Sequence, residues 1–259
     1  MRYCNAVCGN LCYTAIVSYP LRYLPSGHIF IDPRDNCDRV VDAMLETNYD
    51  GEFCIARDFD EDFIARLMEA GFLVMSMDLL ADEAEENESE AQAPFFVLLP
   101  KLHLVRSLLL FPDLHIKKNI RPFLSRYELR IDTDFDLILD KCIKTHGSDW
   151  LTPPLAETLK TLKRRNDLRV KPVSFSVYRE GELKAGEVGV TIGRVYTSYS
   201  GYYEEDNAGN VQMILMALWL EKMGFDFLDF GMPLEYKNRL GARDLSPQRF
   251  VELFRAARY

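Results

Sequence analysis

The fold is indicated most clearly by residues 172–192, PVSFSVYREGELKAGEVGVTI, in which two runs rich in apolar residues flank the turn at residues 179–181. Val, Ile, Tyr and Phe favour strands, and a glycine in a short polar connection favours a tight reversal between them. The stretch therefore predicts a β-hairpin of residues 172–178 and 182–192. Residues 195–199 continue the pattern and predict a third strand of the same sheet.

Helices and further strands surround this hairpin. Towards the C-terminus, residues 208–223 predict an apolar helix and residues 225–230 a strand, while Ser246 and Pro247 predict a capped helix at residues 246–257. Towards the N-terminus, the patterns predict strands at residues 95–99, 104–111 and 127–131 and helices at residues 116–124, 134–145 and 154–165. Hairpins combined with strand–helix–strand crossovers indicate an α+β fold with a mixed, mostly antiparallel sheet and flanking helices.

A small N-terminal α/β domain is predicted at residues 1–80. Residues 52–57 and 72–77 have the pattern of strands, and residues 60–70 that of an amphipathic helix with acidic residues in its first turn. Residues 81–93, ADEAEENESEAQA, hold six carboxylates and no aromatic or β-branched side chain. Such a segment cannot bury enough apolar surface to offset its ordering entropy. We therefore predict an acidic linker or loop insertion there, followed by a larger domain at residues 94–259.

The net charge of −9 is distributed unevenly along the chain. Residues 1–99 carry a net charge of −13, whereas residues 100–259 carry +4. This asymmetry allows a polyanion to bind the second part only, although an acidic excess can also serve solubility alone.

The cysteines and apolar runs exclude several classes of protein. Six cysteines in 259 residues are too few for a disulfide scaffold, and Cys4, Cys8 and Cys12 lack the Cys-x2-Cys spacing of zinc sites. We expect reduced, packed cysteines and no metal, with a metal site at those three cysteines as the open alternative. The longest apolar run, residues 213–220, is far shorter than the roughly 20 residues of a membrane span. With a poor secretory signal at the N-terminus, we expect a cytoplasmic protein with no membrane partner.

Seven segments, in order along the chain, carry a family resemblance. They include DWLTPPL at residues 149–155, NAGN at 207–210 and GFDFLDFGMP at 224–233, where a known family has TWITPEM, NASK and GFELIDCQVP. The other segments lie at residues 51–72, 106–124, 181–196 and 239–254. On these residues the chain is similar to the leucyl/phenylalanyl-tRNA–protein transferases, whose catalytic half has the GCN5-related acetyltransferase-like fold.

The resemblance implies an aminoacyltransferase that uses aminoacyl-tRNA. It would move leucine or phenylalanine from the 3′ end of a charged tRNA to the N-terminal α-amine of a protein, and so mark that protein for degradation under the N-end rule. Residues 94–259 would then be an acetyltransferase-like catalytic domain that needs no cofactor. The glycine-rich run with which acetyl-CoA-dependent relatives hold pyrophosphate is absent, so acetyl-CoA is not expected as donor. Two alternatives stay open: a same-fold transferase using another aminoacyl-tRNA, such as arginyl-tRNA, or another acceptor, and a tRNA-binding homologue that has lost catalysis.

The chain differs from the family in the motifs that would lie closest to the reacting groups. Tyr199 and Gly201 stand where the family's GESMFS has Glu and Met, and Gly231 stands where its Asp-Cys-Gln has Gln, while the Asp is kept as Asp229. The acceptor's α-amine titrates near about 7.7–8.0, so a modest base suffices. We expect Asp229 to orient or deprotonate this amine, or else to cap the turn at Gly231. We expect Tyr199 to donate a hydrogen bond to the ester carbonyl oxygen, or else to pack as a core aromatic.

Further residues are expected to bind the substrates. Trp150 would wall the aminoacyl pocket, Gly201 and Gly231 would reshape it, and Ser198 and Tyr202 would offer hydroxyls and a stacking surface for the terminal adenine. Asn207 and Asn210 begin the apolar helix, whose N-terminus suits a phosphate, although Asn207 could simply be a helix cap. Two basic clusters could follow the tRNA backbone, or complement helix dipoles instead: Lys117, Lys118 and Arg121, and then Lys160, Lys163, Arg164 and Arg165.

Overall fold

The computed structural model describes residues 19–80 and 93–259. The first elements are a two-stranded ribbon and two helices: β1 (Arg22–Tyr23), β2 (Ile29–Phe30), α1 (Cys37–Glu46) and α2 (Glu61–Glu69). Strands β3 (Leu73–Asp78) and β4 (Phe96–Lys101) then pair with each other antiparallel. The acidic stretch at residues 81–93 therefore connects two neighbouring strands, and all of it except its last residue lies outside the described residues.

A seven-stranded sheet forms the centre of the larger part of the chain. Its spatial order is β11 (Arg243–Leu245), β5 (Arg106–Leu110), β10 (Phe227–Asp229), β9 (Val195–Tyr203), β8 (Glu182–Ile192), β7 (Lys171–Arg179) and β6 (Glu128–Ile131). Strands β9 and β10 are parallel because helix α6 (Ala208–Lys222) crosses over between them, and the other neighbours in this sheet are antiparallel. The sheet is thus mixed and mostly antiparallel, which confirms the predicted α+β class.

The remaining helices cover this sheet and bury two apolar clusters. Helices α4 (Phe135–His146), α5 (Pro153–Arg164) and α8 (Pro247–Ala257) share one cluster with α1 and α2. Helix α6 contributes to the other, with the short helix α3 (Arg121–Leu124) packed beside it, and α7 (Glu235–Arg239) follows β10. Since residues on both sides of the acidic stretch enter the first cluster, the N-terminal part packs on the same core as the main sheet. The division of the chain into domains stays a prediction.

Most predicted elements are confirmed, with ends that differ by a few residues. The cap of α8 is confirmed, because the Ser246 hydroxyl accepts a hydrogen bond from the Arg249 amide at 3.3 Å. The helix predicted at residues 116–124 is wrong over its first half, since α3 begins at Arg121, with Pro122 in its first turn. Residues 52–57 make isolated bridges instead of a strand, and Glu52 at their start has a positive φ of 57°, which breaks an extended run.

Candidate active site

A cavity of about 970 Å³ opens where β9 continues past its parallel neighbour β10. The two strands pair only over residues 195–197 and 227–229, after which β9 runs on to Tyr203 while the chain turns away beyond Asp229. The space between the diverging chains has the size of a ligand pocket. Its wall contains every residue predicted to bind substrate and one of the two predicted catalytic residues: Trp150, Ser198, Tyr199, Gly201, Tyr202, Asn207, Asn210 and Gly231.

Tyr199 lies at a bulge of β9. Its neighbours Ser198 and Ser200 pair with Gly189 and Val188, so Tyr199 has no partner on β8. A bulge re-aims the side chain that it carries. The phenol oxygen accepts a hydrogen bond from the Val74 amide at 3.1 Å, and burial raises the pKa of Tyr199 above its usual value. The hydroxyl therefore keeps a hydrogen that it can donate, and its predicted use on a carbonyl oxygen stays a prediction.

Asp229 lies behind the cavity wall and not in it. Its carboxylate accepts two hydrogen bonds from Arg106, at 2.8 and 2.6 Å, and one from the Thr197 hydroxyl at 3.0 Å. It also accepts the Gly231 amide at 2.9 Å, so Asp229 does cap the turn at Gly231. The Asp229 side chain is 0% exposed, and the Arg106 side chain is 1% exposed. Burial alone would raise the pKa of Asp229, but the Arg106 charge and these hydrogen bonds hold it below its usual value.

The turn that follows Asp229 is held by three further contacts. The Ser107 amide donates to the Gly231 carbonyl at 2.8 Å, and the Phe230 amide donates to the Ser107 carbonyl at 2.9 Å. From the other side, the Lys237 ammonium donates to the Phe230 carbonyl at 2.6 Å and burial lowers its pKa. Gly231 has φ +70°, a conformation that glycine adopts at little cost. Arg106, Asp229 and Lys237 thus fix the backbone that forms one edge of the cavity.

Glu187 is a buried carboxylate in the cavity wall that the sequence analysis missed. It lies on β8, is 4% exposed and accepts a hydrogen bond from the Tyr196 hydroxyl at 3.1 Å. Burial raises the pKa of Glu187, although hydrogen bonds with Ser198, Tyr196 and Gln212 oppose the rise. Its cross-strand partner Gly201 has no side chain, and a Cβ at Gly201 would lie 3.6 Å from that of Glu187. The glycine therefore leaves Glu187 open to the cavity.

His103 is the second buried titratable group of the wall that was missed. Its side chain is 4% exposed, and its Nε2 atom has no hydrogen-bond partner among the described residues. Both residues carried a weak signal. Glu187 interrupts the apolar run of a predicted strand, and His103 lies three residues before an arginine that begins another apolar run. A charged or polar side chain at a strand position that ought to be buried is the pattern that could have found them.

The N-terminus of α6 borders this cavity and a smaller one of about 220 Å³. Asn207 occupies the N-cap position of α6 with φ +69°, but its side chain makes no capping hydrogen bond. Asn207 and Asn210 line both cavities. The smaller cavity is also lined by Lys117 and by Arg239, which is ion-paired with Glu235. A basic recess thus adjoins the main cavity at the start of α6.

The two predicted basic clusters differ in their surroundings. Lys117 of the first cluster lines the smaller cavity, and Lys118 and Arg121 are close to it along the chain. In the second cluster every member has an acidic partner: the pairs are Lys160–Asp140, Lys163–Asp132, Arg164–Asp136 and Arg165–Asp62. No residue of the second cluster lines either cavity. Ion pairing within the protein reduces the charge that these four side chains present to a polyanion.

Metal and membrane features are absent from the part of the chain that the structure describes. Within residues 19–80 and 93–259, no group of three or more His, Cys, Asp or Glu side chains is placed to hold a metal ion. No helix in those ranges is long and apolar enough to cross a bilayer. Cys37, Cys54 and Cys142 are buried free thiols, as expected, whereas Cys4, Cys8 and Cys12 lie outside the described residues.

Comparison with known proteins assigns the chain to a family of transferases. Residues 108–255, more than half of the chain, match the family model described as leucyl/phenylalanyl-tRNA protein transferase. The chain therefore belongs to the leucyl/phenylalanyl-tRNA–protein transferase family, which confirms the resemblance.

Its relatives share moderate identity over part of their length. Leucyl/phenylalanyl-tRNA–protein transferases from Pseudomonas putida (strain W619) and Pseudomonas entomophila (strain L48) are each 30% identical over 149 residues, which is 55% of this chain and 64% of the relative. The chain thus spans just under two thirds of the length of these relatives. Among solved structures, FemX gives a TM-score of 0.42 at 11% identity, covering 90% of this chain and 85% of FemX. L-PGS from Bacillus licheniformis gives 0.39 at 12% identity, covering 92% and 89%.

Proposed function

We propose that this protein is an aminoacyl-tRNA–protein transferase. It takes leucine or phenylalanine from charged tRNA, joins the amino acid to the N-terminal α-amine of a protein and so marks that protein for degradation in the cytoplasm. We further propose that the main sheet is of the GCN5-related acetyltransferase type. The observation that carries the proposal is that the family match at residues 108–255 contains β9, α6 and the turn after Asp229, which together build most of the cavity.

The geometry of the cavity suits a transfer between two bound reactants. The ester of an aminoacyl-tRNA is already activated, so the protein needs to hold the amine near the ester carbonyl and to stabilise the oxygen on which charge develops. The Tyr199 hydroxyl is a wall group that has a hydrogen to donate to that oxygen. We propose that Asp229 acts through the turn: it fixes the Gly231 backbone at the edge of the cavity and does not touch substrate.

The tRNA end would enter beside α6. Asn207 and Asn210 line both cavities, and Lys117 adds positive charge to the smaller one. The terminal adenosine would lie in the main cavity, where Tyr202 offers a ring face, and its phosphate would lie at the basic recess. The acid-paired second basic cluster would take little part in this contact.

A second candidate function is transfer of a different amino acid by the same reaction. The observation in its favour is Glu187, because a carboxylate in the pocket wall suits a cationic or hydrogen-bonding side chain better than leucine or phenylalanine. Arginyl-tRNA is the donor that this chemistry would favour. The two candidates differ in donor and share the acceptor chemistry.

Both candidates are tested by transfer of radiolabelled amino acids from a mixed pool of charged tRNA. The acceptors are peptides with N-terminal Arg, Lys, Asp or Glu, each paired with its N-acetylated form, which lacks a free α-amine. We expect label from leucine or phenylalanine on the Arg and Lys peptides and none on the acetylated peptides. Label from arginine instead would select the second candidate. Retention of tRNA on a filter without any transfer would refute both and leave a tRNA-binding protein.

A further inference from the structure

The Nε2 atom of His103 is a buried polar atom in a residue that lines the cavity. His103 lies between β4 and β5, and the described residues offer no hydrogen-bond partner to Nε2. A buried polar atom without a partner costs free energy that a fold ordinarily avoids. A ligand that enters the cavity and bonds to Nε2 would remove this cost.

The surroundings of His103 fix the form of its ring. Burial, and then the positive charges of Arg106, Lys101 and Lys237, lower the pKa of His103 to about 3, while Asp229 opposes the shift. The ring is therefore neutral at physiological pH. The Nδ1 atom lies 3.9 Å from the Glu52 carboxylate, beyond hydrogen-bond range, and we place the ring hydrogen on Nδ1 because this negative charge is on that side of the ring. The Nε2 atom then carries a lone pair and is an acceptor of hydrogen bonds.

Gly231 is the residue of the turn that lies beside this nitrogen. A Cβ atom at Gly231 would lie 3.7 Å from Nε2 and 3.6 Å from Cδ1 of Leu73. Because position 231 is a glycine, no side chain from the turn that Asp229, Ser107 and Lys237 hold in place packs on Nε2, which itself has almost no accessible surface.

We propose that His103 Nε2 accepts a hydrogen bond from the attacking α-amine of the acceptor, which the site binds in its uncharged form. This inference rests on the proposed aminoacyl transfer. The occupant is an N–H donor because Nε2 is an acceptor, and it is uncharged because burial disfavours a cation at this place, as it does for the His103 ring and the Lys237 ammonium. An α-amine loses its proton near about pH 7.7–8.0, so a useful fraction is already in this nucleophilic form at neutral pH.

The step needs no strong base under this arrangement. The lone pair of the amine nitrogen forms a bond to the ester carbonyl carbon, and the bond between that carbon and the ribose oxygen breaks. One hydrogen of the amine ends on the ribose oxygen, which leaves as a hydroxyl, and a peptide bond remains. His103 orients the amine through its other hydrogen and keeps no proton.

The test compares His103→Leu with His103→Gln in steady-state transfer to an N-terminal Arg peptide. Leucine removes the acceptor atom, whereas glutamine can place an amide oxygen near the position of Nε2. We expect His103→Leu to reduce kcat/KM for the peptide ten- to a hundredfold, which is the usual effect of losing a hydrogen bond to a group that becomes charged, and to leave KM for aminoacyl-tRNA unchanged. We expect His103→Gln to recover part of the loss. His28→Leu is the matched control, because His28 is half-buried, stacks on Phe53 and does not line either cavity.

Three further readouts separate this role from a structural one. Folding should be unharmed in His103→Leu, because an apolar side chain replaces an unpartnered polar one. The rate of the wild type should follow deprotonation of the peptide amine near about pH 8, with no inflection near the usual histidine value of about 6.5. Long-range ¹H–¹⁵N correlation of the four histidines, with His103 assigned from His103→Gln, should show the hydrogen on Nδ1.

The outcomes distinguish the inference from the function on which it rests. Equal kcat/KM for His103→Leu and wild type would overturn the inference and leave the transferase activity standing. A parallel loss for peptide and aminoacyl-tRNA, with no recovery in His103→Gln, would show a structural role and overturn it as well. A hydrogen found on Nε2 would overturn it directly. Failure of the wild type to transfer any amino acid would overturn both proposals.

Discussion

Replacing Asp229 with asparagine should lower the free energy of unfolding by about 3–5 kcal/mol, because it leaves the Arg106 guanidinium buried without a counterion. The amide would also turn one hydrogen-bond acceptor into a donor that faces Arg106 or the Thr197 hydroxyl. Urea unfolding at pH 7, followed by tryptophan fluorescence, measures the difference. The transfer activity of the variant is compared with that of the wild type only at urea concentrations and temperatures at which the variant is folded.

The chain contains a matched control for this experiment. Arg194 and Asp226 form an ion pair with the same two-point geometry, at 2.9 and 2.9 Å, but the side chains are 50% and 41% exposed. Asp226→Asn should therefore cost no more than about 1 kcal/mol. A loss in Asp229→Asn that matches the loss in Asp226→Asn would refute the argument that burial makes the Arg106–Asp229 pair sensitive to the removal of one partner.

The pH dependence of the same pair gives a second check. The folded-state pKa of Asp229 lies below its unfolded value, so the stabilisation is present above about pH 4 and is lost as the pH falls through the folded-state pKa. The stability gap between wild type and Asp229→Asn should narrow in that acid range. The double variant Arg106→Met, Asp229→Leu should regain most of the stability, since apolar replacement of a buried pair is often neutral. A constant gap from pH 6 to pH 3 would contradict the assignment.

Three further outcomes follow from the cavity and its surroundings. Because burial raises the pKa of Glu187, the wild type should lose stability relative to Glu187→Gln as the pH rises from about 4. Urea unfolding measures this, and an equal difference in unfolding free energy between the two proteins at pH 4 and at pH 8 would exclude it. Gly201→Met should cover Glu187 and narrow the cavity, which should shift donor use in the charged-tRNA assay towards leucine and phenylalanine; an unchanged donor pattern would place position 201 outside the aminoacyl pocket. Lys117→Ala should weaken tRNA retention on filters and reduce the salt slope by about 0.7, whereas Lys163→Ala, which loses an ion-paired lysine, should change the slope little; equal effects would remove the preference for the first basic cluster.

The sequence predicted what depends on local patterns. Alternating and periodic apolar residues were enough for the hairpin β7–β8, for α6 and for the capped α8, because each signal lies within a dozen or so neighbouring positions. The helix predicted at residues 116–124 was too long because it did not take into account that Pro122 favours the first turn of a helix, which is where the structure has it. The family resemblance predicted the cavity-lining residues, since those motifs cluster where β9 and β10 diverge.

The residues that escaped prediction are defined by contacts between distant parts of the chain. Arg106 and Asp229 are 123 positions apart, and no local pattern shows that one is the counterion of the other. The role of Asp229 therefore could not be separated into capping and catalysis until its burial was known. His103 and Glu187 were missed for the same reason: each becomes informative only when its partners, or the lack of them, are known.

The two altered motif residues, Tyr199 and Gly231, line the same cavity as Glu187 and His103, which the sequence analysis missed. This arrangement argues against a protein that has merely lost its catalytic groups. Where the family's Glu is replaced by Tyr199 on β9, the neighbouring strand β8 places the Glu187 carboxylate in the same wall, opposite a glycine at 201 that leaves it uncovered. Where the family's Gln is replaced by Gly231, the His103 ring lies beside the vacant position with an unpartnered acceptor. A site that had lost its function would have no reason to retain two buried polar groups that lower the stability of the fold. We therefore infer a site with rebuilt polar contacts, whose donor amino acid and hydrogen bonding to the acceptor are set by Glu187 and His103.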